Sequence, residues 1–344
     1  MLTSPALRRR ALELGFDLCG VSRAVRHPKL SRLADWYASG QAGDMVYLAD
    51  VRGERADPRA LLPTARTVVS LAVVYNSAQP YSTAAVADGA VAVSRYAWGA
   101  DYHDVLRPRL RDLVMWMDAE HGPGLEALSS VDDGPVQERV FAEAAGLGWI
   151  GKNTCLINPR LGSWVFLAAI VTNADLEPDT PGVDQCGTCT RCLDACPTGA
   201  FVEPYRLDAT RCLSYLTIEA RGQIDPAMQG AVRDRVFGCD ICQDVCPWNA
   251  RAATSDDPDW QPRRALLYPK LVDLCRLSDE GWRLLLRQSA LRRAGLARLR
   301  RNLACAAAHL PATDRAAALD ALESQPSATD PRVAAAIVAA RAGP

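Results

Sequence analysis

The spacing of its cysteines constrains this chain more than any other feature. Eight of the twelve cysteines lie between positions 186 and 246: Cys186, Cys189, Cys192 and Cys196, then Cys212, then Cys239, Cys242 and Cys246. Cys19, Cys155, Cys275 and Cys305 are scattered and read as small buried hydrophobes. No apolar stretch follows the arginines of the N-terminal MLTSPALRRRALELGF, so no secretory signal is expected. The longest apolar runs, Thr67–Tyr75 and Trp164–Val171, are far short of the roughly 20 residues that cross a bilayer, and no membrane association is expected. The expected compartment is the cytoplasm, where thiols stay reduced. Clustered cysteines there call for metal or redox chemistry, not disulfides.

The first run, C-G-T-C-T-R-C-L-D-A-C-P from Cys186 to Pro197, has the C-x2-C-x2-C-x3-C-P spacing of bacterial two-cluster ferredoxins. Three thiolates two residues apart wrap one iron–sulfur cubane, and the fourth points to the other cluster. Proline then turns the chain. Cys239, Cys242, Cys246 and Pro247 repeat the second half of that run, and Cys212 is available as the missing ligand. The count closes. Cluster one takes Cys186, Cys189, Cys192 and the distant Cys246. Cluster two takes Cys212, Cys239, Cys242 and the distant Cys196. Paired zinc sites would also use C-x2-C, but two C-x3-C-P endings and the exchanged fourth ligand favour two [4Fe–4S] clusters, roughly a dozen ångströms apart. An electron relay needs an acceptor, so the rest of the chain must hold the chemistry.

The remainder reads as three parts. Residues 1–178 form a mixed α/β domain, 179–250 a ferredoxin-like domain, and 251–344 a helical, HEAT-like region. Pro5–Leu14, Tyr102–Glu120 and Pro135–Ala145 have helical spacing; Thr67–Tyr75 and Ser163–Thr172 read as buried strands. Net charge is −1, from 39 basic and 40 acidic residues, which excludes a wholly basic nucleic-acid coat but not a local patch. Gly281–Arg301 supplies a candidate patch, with arginines at 283, 287, 292, 293, 298, 300 and 301 and no acid. On one side of a helix these make a cationic stripe suited to phosphate. In Val131-Asp132-Asp133-Gly134-Pro135, one aspartate suffices to cap the following helix, leaving the other for acid–base work. Gly146, Gly148 and Gly151 let backbone approach something large and flat. No G-x-G-x-x-G follows a strand and opens a helix, and no phosphate loop occurs, which argues against a nucleotide-binding dehydrogenase.

Taken together these blocks resemble the epoxyqueuosine reductase family. The likeness rests on Glu54-Arg-Ala-Asp-Pro58 with Leu61-Leu-Pro63, Trp98-Gly-Ala-Asp-Tyr-His-Asp104, Val131-Asp132, Ala144-Ala-Gly-Leu-Gly-Trp-Ile-Gly-Lys-Asn153, Gly162-Ser163, the eight cluster cysteines, and the tail arginines with Asn302. The resemblance implies a cobalamin enzyme that reduces epoxyqueuosine at tRNA position 34 to queuosine, the last step of queuosine biosynthesis. It implies a GUN-anticodon tRNA as substrate and an external electron donor; a monomer is expected. Asp132 matches the family's proton donor, although Asp133 stands where a small residue is frequent. Arg55, Ser94, Asp132, Asn153, Leu156, Leu167, Ser214 and the turn Cys239, Asp240, Ile241, Cys242 match its cobalamin contacts, and Arg221 a tRNA contact. None of His27, His103, His121 and His309 sits in D-x-H-x-x-G, so base-off cobalamin without a histidine ligand is expected, with His103 a structural hydrogen-bonding group. Trp248 and Tyr205 are candidates for stacking on the substrate base. Two rival readings stand beside this one. A cobalamin-dependent reductive dehalogenase would bring an export signal and a tyrosine acid. A ferredoxin-like electron carrier would leave the large α/β domain without a task.

Overall fold

A computed structural model describes residues 2–49 and 53–343. Helix α1 (Ser4–Glu13) starts at Thr3, whose hydroxyl accepts the Ala6 N–H, and buries Leu7 and Ala11. It leads into β1 (Leu18–Arg23) and, after a long loop, into β2 (Thr67–Val74). Helix α2 (Tyr102–His121), β3 (Ala127–Ser130), α3 (Glu138–Ala144) and β4 (Val165–Thr172) follow. The sheet order is β1–β2–β4–β3 with every neighbour antiparallel. Thr67 lies opposite Thr172 and Val74 opposite Val165.

The largely apolar run of β2, broken only by Ser70 after Thr67, follows from burial on both faces. Val69, Leu71 and Val73 pack with Leu7 of α1 and with Leu106, Leu110, Leu113 and Met117 of α2. Val68 and Ala72, on the other side, meet the α3 face through Val140, Phe141, Ala142 and Ala145. Successive strand residues point to opposite faces, so one segment supports two helix layers.

The cysteine-rich segment holds two matching four-residue helical turns, Arg191–Asp194 and Ile241–Asp244, packed together. Between them lie α4 (Leu213–Ile218), whose N-cap is Cys212, and β5 (Arg235–Phe237). Strand β5 pairs in parallel with Ala92–Val93, so the segment before α2 is stitched to the cluster region. The tail consists of α5 (Leu271–Arg276), α6 (Asp279–Leu286), α7 (Gly295–Ala307), α8 (Ala312–Glu323) and α9 (Pro331–Ala342). Helix α7 is central, with every residue from Leu299 to Ala307 buried. It packs on α5, α8 and α9 on one side and on α4 and β5 on the other. Among the described residues no helix is long and apolar enough to cross a membrane.

Two expectations change here. The arginines of 281–301 are not one cationic stripe. Arg300 and Arg301 are fully buried. Arg300 donates to the carbonyls of Cys275 and Leu277 and pairs with Asp279 at 3.0 Å. Arg292 pairs with Asp101 and Asp104, and Arg293 with Glu219. Arg298 donates to three carbonyls, those of Ala294, Glu219 and Arg293. The carboxylates of Asp101, Asp104 and Glu219 come from distant segments and the rest of the partners are largely backbone carbonyls, so a local charge count could not see them. Likewise Gly146, Gly148 and Gly151 make room for the protein's own chain. A Cβ on Gly148 would sit 2.2 Å from the Ile157 carbonyl oxygen, and one on Gly146 2.6 Å from that of Thr180.

Candidate active site and cluster sites

Cys186, Cys189, Cys192 and Cys246 line one recess with about 330 Å³ of empty space, together with Asn153, Ile157 and Trp248. The fold thus brings the distant Cys246 to the first three thiols. Lys152 pins the run by donating its Nζ to the carbonyls of Gly187 (2.6 Å) and Cys189 (3.0 Å). Cys196 stands apart, its Sγ accepting the Ala200 N–H at 3.3 Å. It lies within electrostatic reach of Cys212, as Cys212 does of Cys239 and Cys239 of Cys242. The N–H groups of Ser214 and Tyr215 point at the Cys212 sulfur, and that of Ile241 at Cys239. Cys155, read from sequence as an inert hydrophobe, shares a hydrogen bond with Cys242. Four sulfurs per set, with N–H groups aimed at them, are the donor chemistry of an iron–sulfur cubane.

The Asp132–Asp133 pair is divided by its surroundings. Asp133 is tied down: one carboxylate oxygen accepts Nε and Nη2 of Arg107 at 3.1 and 2.8 Å, the other the Val131 N–H at 2.9 Å. Partial burial pulls the Asp133 carboxyl up, but Val131 and Arg107 outweigh it and hold it below the usual range. Asp132 is exposed and has φ +53°, a left-handed conformation uncommon outside glycine, asparagine and aspartate. Its N–H is held by Glu138 Oε1 at 3.0 Å, and its carboxylate accepts the Tyr102 hydroxyl at 2.7 Å. Burial first, and then the charge of Asp132, push Glu138 up to about 7.

Tyr102 is placed by the start of α2. Asp101 caps that helix by accepting the His103 N–H at 3.0 Å, and its carboxylate also meets His103 Nδ1 at 2.7 Å. The Tyr102 ring stacks between His103 (4.1 Å) and Phe166 of β4 (4.6 Å). His103 therefore holds the helix start. Tyr96 connects the acid to the cluster turn: burial, and the charges of Asp132 and Asp240, both raise its hydroxyl.

Most of the remaining matched residues converge on that turn. Asp240 accepts the Ser94 hydroxyl at 3.0 Å and the Arg95 N–H at 2.7 Å. Burial raises Asp240 to about 6. Asn153 Nδ2 donates to the Cys242 carbonyl. Leu156 and Leu167 share an apolar cluster with Leu18, Ala72, Leu147 and Val165, and on β4 only Val165 and Leu167 are incompletely covered. This leaves a half-covered apolar shelf beside the cluster turn, a surface that a large flat ligand can close over. Arg55 lies elsewhere, its Nη2 donating to the Tyr47 carbonyl at 2.8 Å.

The stacking candidates do not gather around Asp132. Trp248 packs edge-on against Trp149 in the cluster-one recess, and Tyr205 donates its hydroxyl to Asp184 beside Cys186. Besides Tyr102 and Tyr96, an exposed aromatic within reach of the acid's charge is Tyr47, which sequence reading missed. Its ring is 48% exposed, feels the charge of Asp132, and carries the Arg293 guanidinium 5.1 Å from its centre. Asp44, three residues before it, accepts the Arg221 N–H at 2.8 Å. The Val46-Tyr47 pair, apolar and next to nothing periodic, offered little signal.

Comparison with known proteins matches this geometry. Residues 185–249 match a 4Fe-4S double cluster binding domain, and residues 55–133 match the family described as epoxyqueuosine reductase QueG, DUF1730. The chain is 44% identical over 310 residues to an epoxyqueuosine reductase of Gloeobacter violaceus, covering 87% of this chain and 94% of that one. It is 45% identical over 284 residues to one of Synechocystis sp., covering 82% and 96%. Among solved structures, it superposes with a TM-score of 0.81 and 31% identity on an epoxyqueuosine reductase bound to a tRNA-Tyr epoxyqueuosine-modified stem loop, covering 98% of this chain and 92% of that one.

Proposed function

The chain belongs to the epoxyqueuosine reductase family, and on that premise we propose that it is a cobalamin enzyme in which Asp132 protonates the departing epoxide oxygen. The protein is an iron–sulfur oxidoreductase that reduces epoxyqueuosine in tRNA to queuosine. The net change is epoxide plus two electrons and two protons to alkene plus water. Bound clusters and base-off cobalamin supply the electrons singly, chemistry that no side chain offers.

The protein's part is to bind, orient and protonate. The Leu156–Leu167 shelf and the polar edge of Ser94, Asn153, Ser214 and the 239–242 turn would hold the cofactor; Arg55, bound to the Tyr47 carbonyl apart from this edge, would reach it from the Tyr47 side. The observation that carries the acid assignment is the contrast within the aspartate pair. Asp133 is committed to Arg107 and the Val131 N–H, whereas Asp132 is exposed at a positive φ and, among the described residues, its carboxylate accepts only the Tyr102 hydroxyl. A positioned acid contributes roughly 10²–10⁴-fold. Tyr47 is placed to stack on a nucleobase, and Arg221 to meet phosphate. An anticodon-loop base, already single-stranded, reaches such a site at low unstacking cost. A GUN anticodon, a cytoplasmic setting, a monomeric state and an external electron donor complete the reading.

The test is anaerobic turnover of epoxyqueuosine-containing tRNA, with and without cobalamin, by wild type, Asp132→Asn and Asp133→Asn. Cobalamin binding is followed in parallel by absorbance. Asp132→Asn should lose about 10²-fold or more in turnover while still binding cobalamin; Asp133→Asn should stay within about tenfold. Equal losses in both variants, or turnover without the vitamin, would defeat the proposal.

A further inference from the structure

Arg301 and Asn302 are fully buried, yet among the described residues they have no carboxylate partner. All five N–H donors of Arg301 are used: Nη1 on the carbonyls of Ala220 (2.9 Å) and Gly222 (2.5 Å), Nη2 on Leu216 (2.6 Å) and Asn302 Oδ1 (2.9 Å), Nε on the same Oδ1 (3.1 Å). Arg301 thereby fixes which way the Asn302 amide faces. Asn302 Nδ2 then donates to two carbonyls on different elements, Thr217 of α4 at 2.8 Å and Val236 of β5 at 2.9 Å. The Thr217 hydroxyl closes the same joint by accepting the Gly238 N–H at 2.9 Å. Gly238 is at φ +68°, and a Cβ there would lie 2.2 Å from Ser94 Oγ, so the backbone entering Cys239 has no other path.

The two bridged elements each end in a cluster-two thiol. Cys212 is the N-cap of α4, and Cys239 follows β5 after Gly238. The N–H groups aimed at these sulfurs, from Ser214 and Tyr215 on one and Ile241 on the other, keep their aim only if α4 and β5 stay in register. Hydrogen bonds to cluster sulfurs stabilise the more negative, reduced cluster and so raise its potential. We infer that Arg301 and Asn302 are positioning residues that set the reduction potential of cluster two. The helical tail would then act on the electron path. This rests on the ligand assignment Cys212, Cys239, Cys242 and Cys196.

The experiment is an EPR-monitored redox titration of the reconstituted full-length protein, with iron counted in each preparation. The variants are Asn302→Ala, Thr217→Val and Thr217→Ser. Asn302→Ala should move one cluster to a more negative potential and leave the other where it was. Loss of that cluster alone, with the other's EPR signal intact, is the same effect carried further. Thr217→Val, which removes the hydroxyl that accepts the Gly238 N–H and donates to the Leu213 carbonyl, should shift the same cluster less, and Thr217→Ser should restore the wild-type potential. A Thr217→Val protein with both potentials unchanged, or variants in which both clusters shift or vanish together, would overturn the inference. A missing or altered ligand assignment would instead show as fewer than about eight irons in wild type.

Discussion

Replacing Glu138 with glutamine should flatten part of the stability–pH curve. Burial, and then the charge of Asp132, raise this carboxyl to about 7 from an ordinary 4.5. Below pH 4.5 both folded and unfolded chains hold the proton, and Glu138 adds nothing. As pH rises from there, the unfolded chain releases the proton before the folded one, and stability falls by about 1.4 kcal/mol per pH unit. Above about 7 the loss levels off near 3 kcal/mol. Glu138 retains some contact with solvent, so this is an upper bound. Glutamine keeps the oxygen that accepts the Ser130 hydroxyl and the Asp132 N–H but cannot ionise. Between pH 5.5 and 8 wild type should therefore lose about 2 kcal/mol relative to Glu138→Gln. For a chain of this length that is about 3 °C in melting temperature. The assay is anaerobic thermal unfolding of both proteins at several pH values, since both carry the same clusters and their contribution cancels in the difference. Parallel curves across pH 5.5–8 would show that Glu138 does not hold its proton in the fold. Turnover at pH 8 should survive in Glu138→Gln, because the left-handed Asp132 backbone keeps its acceptor.

Other outcomes follow from the same geometry. Tyr47→Ala should weaken binding of an epoxyqueuosine stem loop by about 1–3 kcal/mol, the worth of one stacked base, with Tyr47→Phe close to wild type; unchanged affinity in titration calorimetry refutes the platform role. Arg221→Ala should lower the slope of log affinity against log salt by about one, and an unchanged slope means that it touches no phosphate. Cys155→Ala should retain about eight irons whereas Cys246→Ala should not, because only the latter belongs to a cluster set; iron analysis distinguishes them.

What the sequence made legible is what chemistry writes locally. The cubane ligands occur at short, fixed spacings, so the pairing of Cys246 with the first run was derivable before any coordinates. The strands 67–74 and 165–172 announce themselves as mostly apolar runs rich in valine and isoleucine, because a strand covered on both faces holds few polar residues. The aspartate pair was visible too, but its division of labour was not. That depends on Arg107, which lies on another element, and on a backbone angle that no residue count reports. The arginine segment failed for the same reason in reverse. Seven cations without a nearby acid read as a surface for phosphate, yet their partners Asp101, Asp104, Glu219 and a set of bare carbonyls arrive from other segments. A buried guanidinium satisfied wholly by carbonyls is an expensive way to hold a helix, since burial first, and then the charges of Arg298 and Arg332, lower Arg301 to about 10. Apolar packing could have joined α7 to α4 at less desolvation cost. What packing does not supply is a directional link to particular carbonyls: Arg301 takes those of Leu216 on α4 and of Ala220 and Gly222 just after it, and the Asn302 amide it orients takes those of Thr217 on α4 and Val236 on β5, the elements that present Cys212 and Cys239. The expense is intelligible if the register of those elements matters to the cluster, and that is what the redox titration of Thr217→Val measures with least disturbance to the fold.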